Sequence, residues 1–160
     1  MKKRWIFAAI AAAVLGTAMH FLYDVFPSVP TAVLAPINES PWEHLKLLFY
    51  PTLLAAFFLT RKTTCRNCLW SAFFLILLAM PIFLLSVYYT LVYFGLDSVA
   101  VDIGLYFVTM FLGFWAAYRL QNSTKLQKIG GYLLMLVIIY GSALVLFSFA
   151  APDLPVFRAP

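Results

Sequence analysis

Five long apolar stretches, separated by short polar or proline-rich breaks, set the pattern of this chain. They run over about 5–23, 42–60, 69–94, 99–119 and 130–150. Each is close to the ~20 apolar residues that a helix needs to cross a bilayer core. The pattern predicts an all-α integral membrane helix bundle: five transmembrane helices in a single domain over 1–160, without an internal repeat. The first stretch follows Met1-Lys2-Lys3-Arg4 and so resembles a signal peptide. However, Ala18-Met19-His20 is a poor small-x-small cleavage site and the apolar run continues through Phe21 and Leu22, so it reads as an uncleaved first span. Residues 25–36 are apolar and hold Pro27, Pro30 and Pro36, which suggests a re-entrant or surface segment. Pro51 and Pro81 fall inside the second and third spans and should kink them.

Composition agrees with this reading. Hydrophobic residues make up 64% of the chain and charged residues 11%, against about half and about a quarter in a soluble domain. The net charge of +5 matters less than its placement. With the N-terminus inside, the cytoplasmic side carries Lys2, Lys3, Arg4, Arg61, Lys62, Arg66, Arg119, Lys125 and Lys128, nine of the eleven basic residues. The outer side carries Asp24, Glu39, Glu43, Asp97, Asp102 and Asp153, all six acidic residues, with Lys46 and Arg158. The positive-inside rule then predicts an N-in/C-out orientation with an outer loop over 24–41. The partners implied are the lipid bilayer and another membrane protein. No nucleic-acid motif, glycine-rich phosphate loop, dinucleotide fingerprint or haem attachment site is present. Cys65 and Cys68 form a C-x-x-C on the cytoplasmic side, where thiols are normally reduced. A structural disulfide is not expected there, and half of a zinc site, a redox pair or incidental loop cysteines remain as readings.

The polar residues that interrupt this pattern gather near one end. His20 and Asp24 end the first stretch, and Asn38-Glu39-Ser40-Pro41-Trp42-Glu43-His44 opens the second. Ala8, Ala12, Gly16, His20 and Asp24 recur every four residues, a close-packing stripe that leads to a polar end. Asp102, Tyr106, Thr109 and Gly113 repeat the pattern in the fourth span, and Tyr89 and Tyr93 sit in the outer half of the third. These positions predict an outward-opening polar pocket lined by His20, Asp24, Asn38, Glu39, Glu43, His44, Lys46, Tyr89, Tyr93, Asp102 and Tyr106.

Part of the motif needs no chemistry. Ser40 suits an N-cap, Pro41 the first helical position, and Glu43 the third position of a capping box. Trp42 suits an aromatic belt. Lys46 can snorkel, bind an anionic headgroup, or pair with Glu43 or with Asp102. Capping leaves Asn38, Glu39, His44 and His20 unexplained. Histidine with carboxylates is the usual ligand set for zinc, iron or manganese, which makes His20, Asp24, Glu39 and His44 candidate metal ligands. The bland alternative pairs His20 with Asp24 or Glu43, and His44 with Glu39, as hydrogen bonds that lock two helices.

His20-x-x-Tyr23-Asp24, then Ala35-Pro36-Ile37-Asn38-Glu39-Ser40-Pro41-Trp42-Glu43-His44-Leu45-Lys46-Leu47 and Phe49-Tyr50-Pro51, resembles a family of small bacterial polytopic membrane proteins of unknown function. The family's hallmark is N-E-S-x-W-E-H-x-K-L. The match covers roughly a fifth of the chain. The resemblance implies only an integral membrane protein of the cell envelope and brings no activity, substrate or cofactor; together with the spans it gives the expectation of a multi-pass protein of the bacterial cytoplasmic (inner) membrane.

Three functions compete. The first is an outward polar pocket for a small ligand, a lipid headgroup or an ion. The second is a membrane-embedded metal-dependent hydrolase acting on a lipid-like substrate at the outer leaflet. Its metal-bound water would be the nucleophile, and Glu39, Glu43 and His44 are its candidate catalytic residues. The third is a structural subunit of a membrane complex.

Overall fold

The computed structural model of the chain describes residues 1–61, 63–96 and 98–158. Lys62 and Asp97, both counted in the charge asymmetry, lie outside the described residues. Among the described residues all regular structure is helical. In order these are α1 Lys3–His20, α2 Leu22–Val25, α3 Val29–Leu34, α4 Pro41–Thr60, α5 Arg66–Tyr93, α6 Val99–Leu120, α7 Thr124–Lys128 and α8 Gly130–Phe149, followed by a 3-10 turn over Pro155–Phe157.

The five long helices follow the five apolar stretches, with two differences. The first stretch is not one helix to residue 23. It breaks after His20, where the Phe21 N–H bonds back to the Ala18 carbonyl in a tightened last turn. The short α2 then stops one residue short of Pro27, whose ring disfavours helical geometry in the residue before it. α5 starts earlier than residue 69, because Cys65 caps it by accepting the Cys68 N–H. The proline-rich outer segment is also more ordered than a loop. Ser28 and Thr31 form a reciprocal capping box that starts α3, with Pro30 in its first turn.

α5, α6 and α8 are long and apolar enough to cross a membrane. α1 and α4 have 18 and 20 residues, but Lys3 and Arg4 in one, and Glu43 and Lys46 in the other, dilute their apolar character. The outside of the bundle is greasy. Phe7, Val14, Ile82, Trp115, Tyr132 and Ile138 are all at least half exposed, a surface that suits hydrocarbon and would be a liability in water. The chain is accordingly a helical membrane protein.

α5 is the hub, in contact with α4, α6, α7 and α8, while α1 lies against α4 and α6. The core is built from Trp5, Leu45, Leu69, Phe73, Met110 and Phe114, all buried. Trp5 stacks on Phe73 with ring centroids 5.8 Å apart and meets the edge of Tyr118 at 5.4 Å. The small-residue stripe of α1 permits a close approach to its neighbours. At Gly16 a Cβ would overlap Tyr106 Oη and sit 2.7 Å from the Leu47 carbonyl oxygen. Pro51 and Pro81 are buried inside α4 and α5, which continue through them.

The cysteines correct an expectation. Cys65 and Cys68 are joined in a disulfide. Their spacing spans the N-cap and first turn of α5, which brings the Cα atoms to 5.3 Å, within the range a disulfide bridges.

Candidate functional site

The site is built around the start of α4, where the chain turns from the proline-rich segment into the bundle. Three backbone donors in this turn, those of Ile37, Ser40 and Glu43, find side chains. Asn38 Oδ1 accepts the Ser40 N–H at 2.9 Å, an Asx turn that sets the entry angle. Ser40 Oγ accepts the Glu43 N–H at 3.4 Å and caps the helix, with Pro41 at its first position. The expected capping box forms only by half. The Glu43 carboxylate does not return to the Ser40 N–H, which Asn38 has taken. It reaches further back and accepts the Ile37 N–H on Oε2 at 3.0 Å.

Glu43 and Lys46 form a buried ion pair. Lys46 Nζ lies 2.7 Å from Glu43 Oε2, and the two side chains are 0% and 2% exposed. The ammonium also donates to the carbonyls of Ala32 at 2.6 Å and Ala35 at 3.1 Å, so its three protons have three acceptors. Ser148 Oγ, on α8, donates to Glu43 Oε1 at 2.7 Å. One salt bridge thus ties the end of α3 to α4 and α8. Buried charges are tolerated when they are paired and hydrogen-bonded, as here.

Glu39, His44 and His20 have no part in that scaffold. They meet at the partly exposed surface above it. Glu39 Oε2 lies 3.4 Å from His44 Nε2, and Glu39 Oε1 lies 3.9 Å from His20 Nε2. The two imidazole rings are 5.1 Å apart. One ligand atom from each of the three residues falls within 4.8 Å of the others. Exposure is 28% for His20, 32% for His44 and 66% for Glu39, so the cluster is open at the protein surface. Its elements explain its position: His20 is the last residue of α1, Glu39 precedes the cap of α4, and His44 lies in the first turn of α4.

The protonation pattern of His44 follows from its neighbours. Nδ1 lies 2.9 Å from the Ser40 carbonyl oxygen. A carbonyl only accepts, so Nδ1 carries the proton. The neutral ring then turns a bare Nε2 lone pair towards the Glu39 carboxylate. Two acceptors 3.4 Å apart repel each other unless a cation, either a proton or a metal ion, joins them. An imidazole whose far nitrogen is fixed by a carbonyl is the usual preparation of a metal ligand.

The contacts divide the expected pocket residues. His20, Glu39 and His44 form one cluster, Glu43 and Lys46 another, and Asn38 serves the turn. Tyr106 is used for packing, its Oη donating to the Ala13 carbonyl at 3.0 Å. Asp24, Tyr89, Tyr93 and Asp102 are exposed. Of the two partners proposed for Lys46, Glu43 is the one adopted. Trp42 is half-buried. It packs inside an aromatic group with Tyr140, Phe147 and Phe157, at 6.4, 5.6 and 4.9 Å. Sequence reasoning missed Ser148 and the Ala32 and Ala35 carbonyls. Ser148 lies 105 residues from its partner, and backbone acceptors carry no residue-type signal.

Comparison with curated proteins gives no match, and neither does comparison with solved structures. A family of unknown function, DUF6512, matches residues 1–160. The chain belongs to the DUF6512 family.

Proposed function

We propose that the protein is a five-span, N-in/C-out protein of the bacterial cytoplasmic membrane that binds a divalent transition-metal ion at its outer face through His20, Glu39 and His44. One observation carries this reading. The scaffold around the start of α4 accounts for Asn38, Ser40, Pro41, Glu43 and Lys46, and the two motif residues left over, Glu39 and His44, converge with His20.

Two histidines and a carboxylate suit zinc, and equally iron or manganese. Ligand atoms held at about 2.1 Å from a tetrahedral zinc lie about 3.4 Å from one another. The His44–Glu39 pair is already at that separation, and partly exposed side chains can close the rest. His20 presents Nε2 to Glu39, and among the described residues no protein group holds its Nδ1.

A three-ligand site leaves a coordination position for water, which is the feature that favours the hydrolase alternative. Against it, neither carboxylate considered as general base is free, since Glu39 is a ligand in this reading. Both oxygens of Glu43 are committed, to Lys46 and the Ile37 N–H on one side and Ser148 on the other. Metal binding, rather than hydrolysis, is therefore the reading adopted.

The test is elemental analysis of detergent-purified protein beside His20→Ala and His44→Ala. Near-equimolar zinc, iron or manganese that both substitutions abolish supports the site. Folded, monodisperse wild-type protein without bound metal, even after incubation with each ion, overturns it.

A further inference from the structure

At the opposite end of the bundle the Cys65–Cys68 disulfide occupies a position with chemistry of its own. Cys65 is the N-cap of α5, a 28-residue helix, and its Sγ accepts the Cys68 N–H at 3.3 Å. Hydrogen bonding from a helix N-terminal amide, together with the helix dipole, stabilises a thiolate at that sulfur. The two sulfurs are unequal in access. Cys65 is partly exposed, whereas Cys68 is 1% exposed. Cys68 Sγ lies 3.4 Å from Gln127 Oε1. Gln127 thus covers the Cys68 side of the bond and leaves Cys65 as the accessible sulfur. A disulfide that only staples a loop does not need this asymmetry.

We propose that Cys65 and Cys68 are a thiol–disulfide exchange pair, with Cys65 the sulfur that external thiols attack. The reductant class is a dithiol. One of its thiolates attacks Cys65 Sγ, the new sulfur–sulfur bond forms, and the Cys65–Cys68 bond breaks. Cys68 departs as a thiolate and takes a proton from water. The second thiol of the reductant then attacks the reductant's own sulfur in the mixed disulfide. Cys65 leaves as a thiolate, held by the Cys68 N–H, and the reductant departs as a disulfide. Two electrons have passed to the protein, and a disulfide oxidant reverses the sequence. In the proposed N-in orientation the pair faces the cytoplasm, where disulfides are usually transient and serve catalysis or sensing. This proposal does not depend on the metal site.

The test uses the full chain in detergent. Oxidised protein is treated with dithiothreitol, with helicity followed by circular dichroism and free thiols counted by alkylation and mass measurement. Two thiols should appear while helicity is unchanged. Cys68→Ser and Cys65→Ser are then each exposed to glutathione disulfide. Cys65 in the first should form a mixed disulfide at least about tenfold faster than Cys68 in the second. Cys68→Ala and Cys65→Ala repeat the comparison should a serine variant fail to fold. Reduction only after helicity is lost overturns the proposal, as do equal rates or a faster Cys68.

Discussion

Replacing Lys46 by methionine keeps most of the side chain's volume and removes its charge. The consequence can be worked from its contacts. The ammonium is fully buried and supplies one proton each to Glu43, the Ala32 carbonyl and the Ala35 carbonyl. Without it, a 2% exposed carboxylate keeps only the Ile37 N–H and the Ser148 hydroxyl as donors. Removing one member of a buried ion pair costs about 3–5 kcal/mol. Two orphaned carbonyls would add about 1–3 kcal/mol each if they stayed buried. The end of α3 can instead move to reach water, so the sum is not reached and about 3–5 kcal/mol is expected. That is a large fraction of a typical folding free energy of about 5–15 kcal/mol. Equilibrium unfolding in mixed micelles, followed by tryptophan fluorescence, measures the loss. The Glu43→Gln/Lys46→Met double variant should be more stable than the sum of the two single losses predicts, because it leaves no unpaired charge. A Lys46→Met variant within about 1 kcal/mol of wild type, or strictly additive single effects, would refute the ion pair as the anchor of the outer segment.

Three further outcomes follow from the same contacts. Ser148→Ala removes a charge-assisted donor from Glu43 and should cost about 1.5–3 kcal/mol, with Ser148→Thr losing less in the same unfolding assay. Gly16→Ala should destabilise by about 1–3 kcal/mol through overpacking against Tyr106 and Leu47. Gly104→Ala, which has nothing within 4 Å of its Cβ, should be neutral or gain up to about 1 kcal/mol of helix propensity. Single cysteines at Ser98 and Ser123, placed in a Cys65→Ser/Cys68→Ser background, test topology. Intact cells should label position 98 and not position 123 with an impermeant maleimide, and the reverse would invert the orientation.

The long helices were legible because hydropathy and length alone define a span, and α4 through its cap was legible because Ser40-Pro41 is a local signal. The break at Phe21 was not, since the apolar run passes through it unchanged and only the turn geometry at Ala18 ends the helix. Glu43 shows where local logic stops. Its spacing from Ser40 fits a capping box, yet Asn38 satisfied the Ser40 amide first, and the carboxylate went to Ile37 and Lys46 instead. That His20, Glu39 and His44 lie near helix ends could be read from the sequence. Their convergence could not, because it depends on α1 ending at His20 and lying against α4. The disulfide was misjudged for a similar reason: the compartment argued against it, while the helix cap brought the two cysteines together.

The central claim is that His20, Glu39 and His44 hold one metal ion. The most direct measurement is a calorimetric titration of zinc into chelator-treated protein in detergent, for wild type, Glu39→Gln and His44→Ala. The account predicts one ion per chain for wild type, weaker binding with Glu39→Gln, none with His44→Ala, and competition by protons as the pH is lowered. Absent binding in wild type, or binding that survives His44→Ala unchanged, contradicts it.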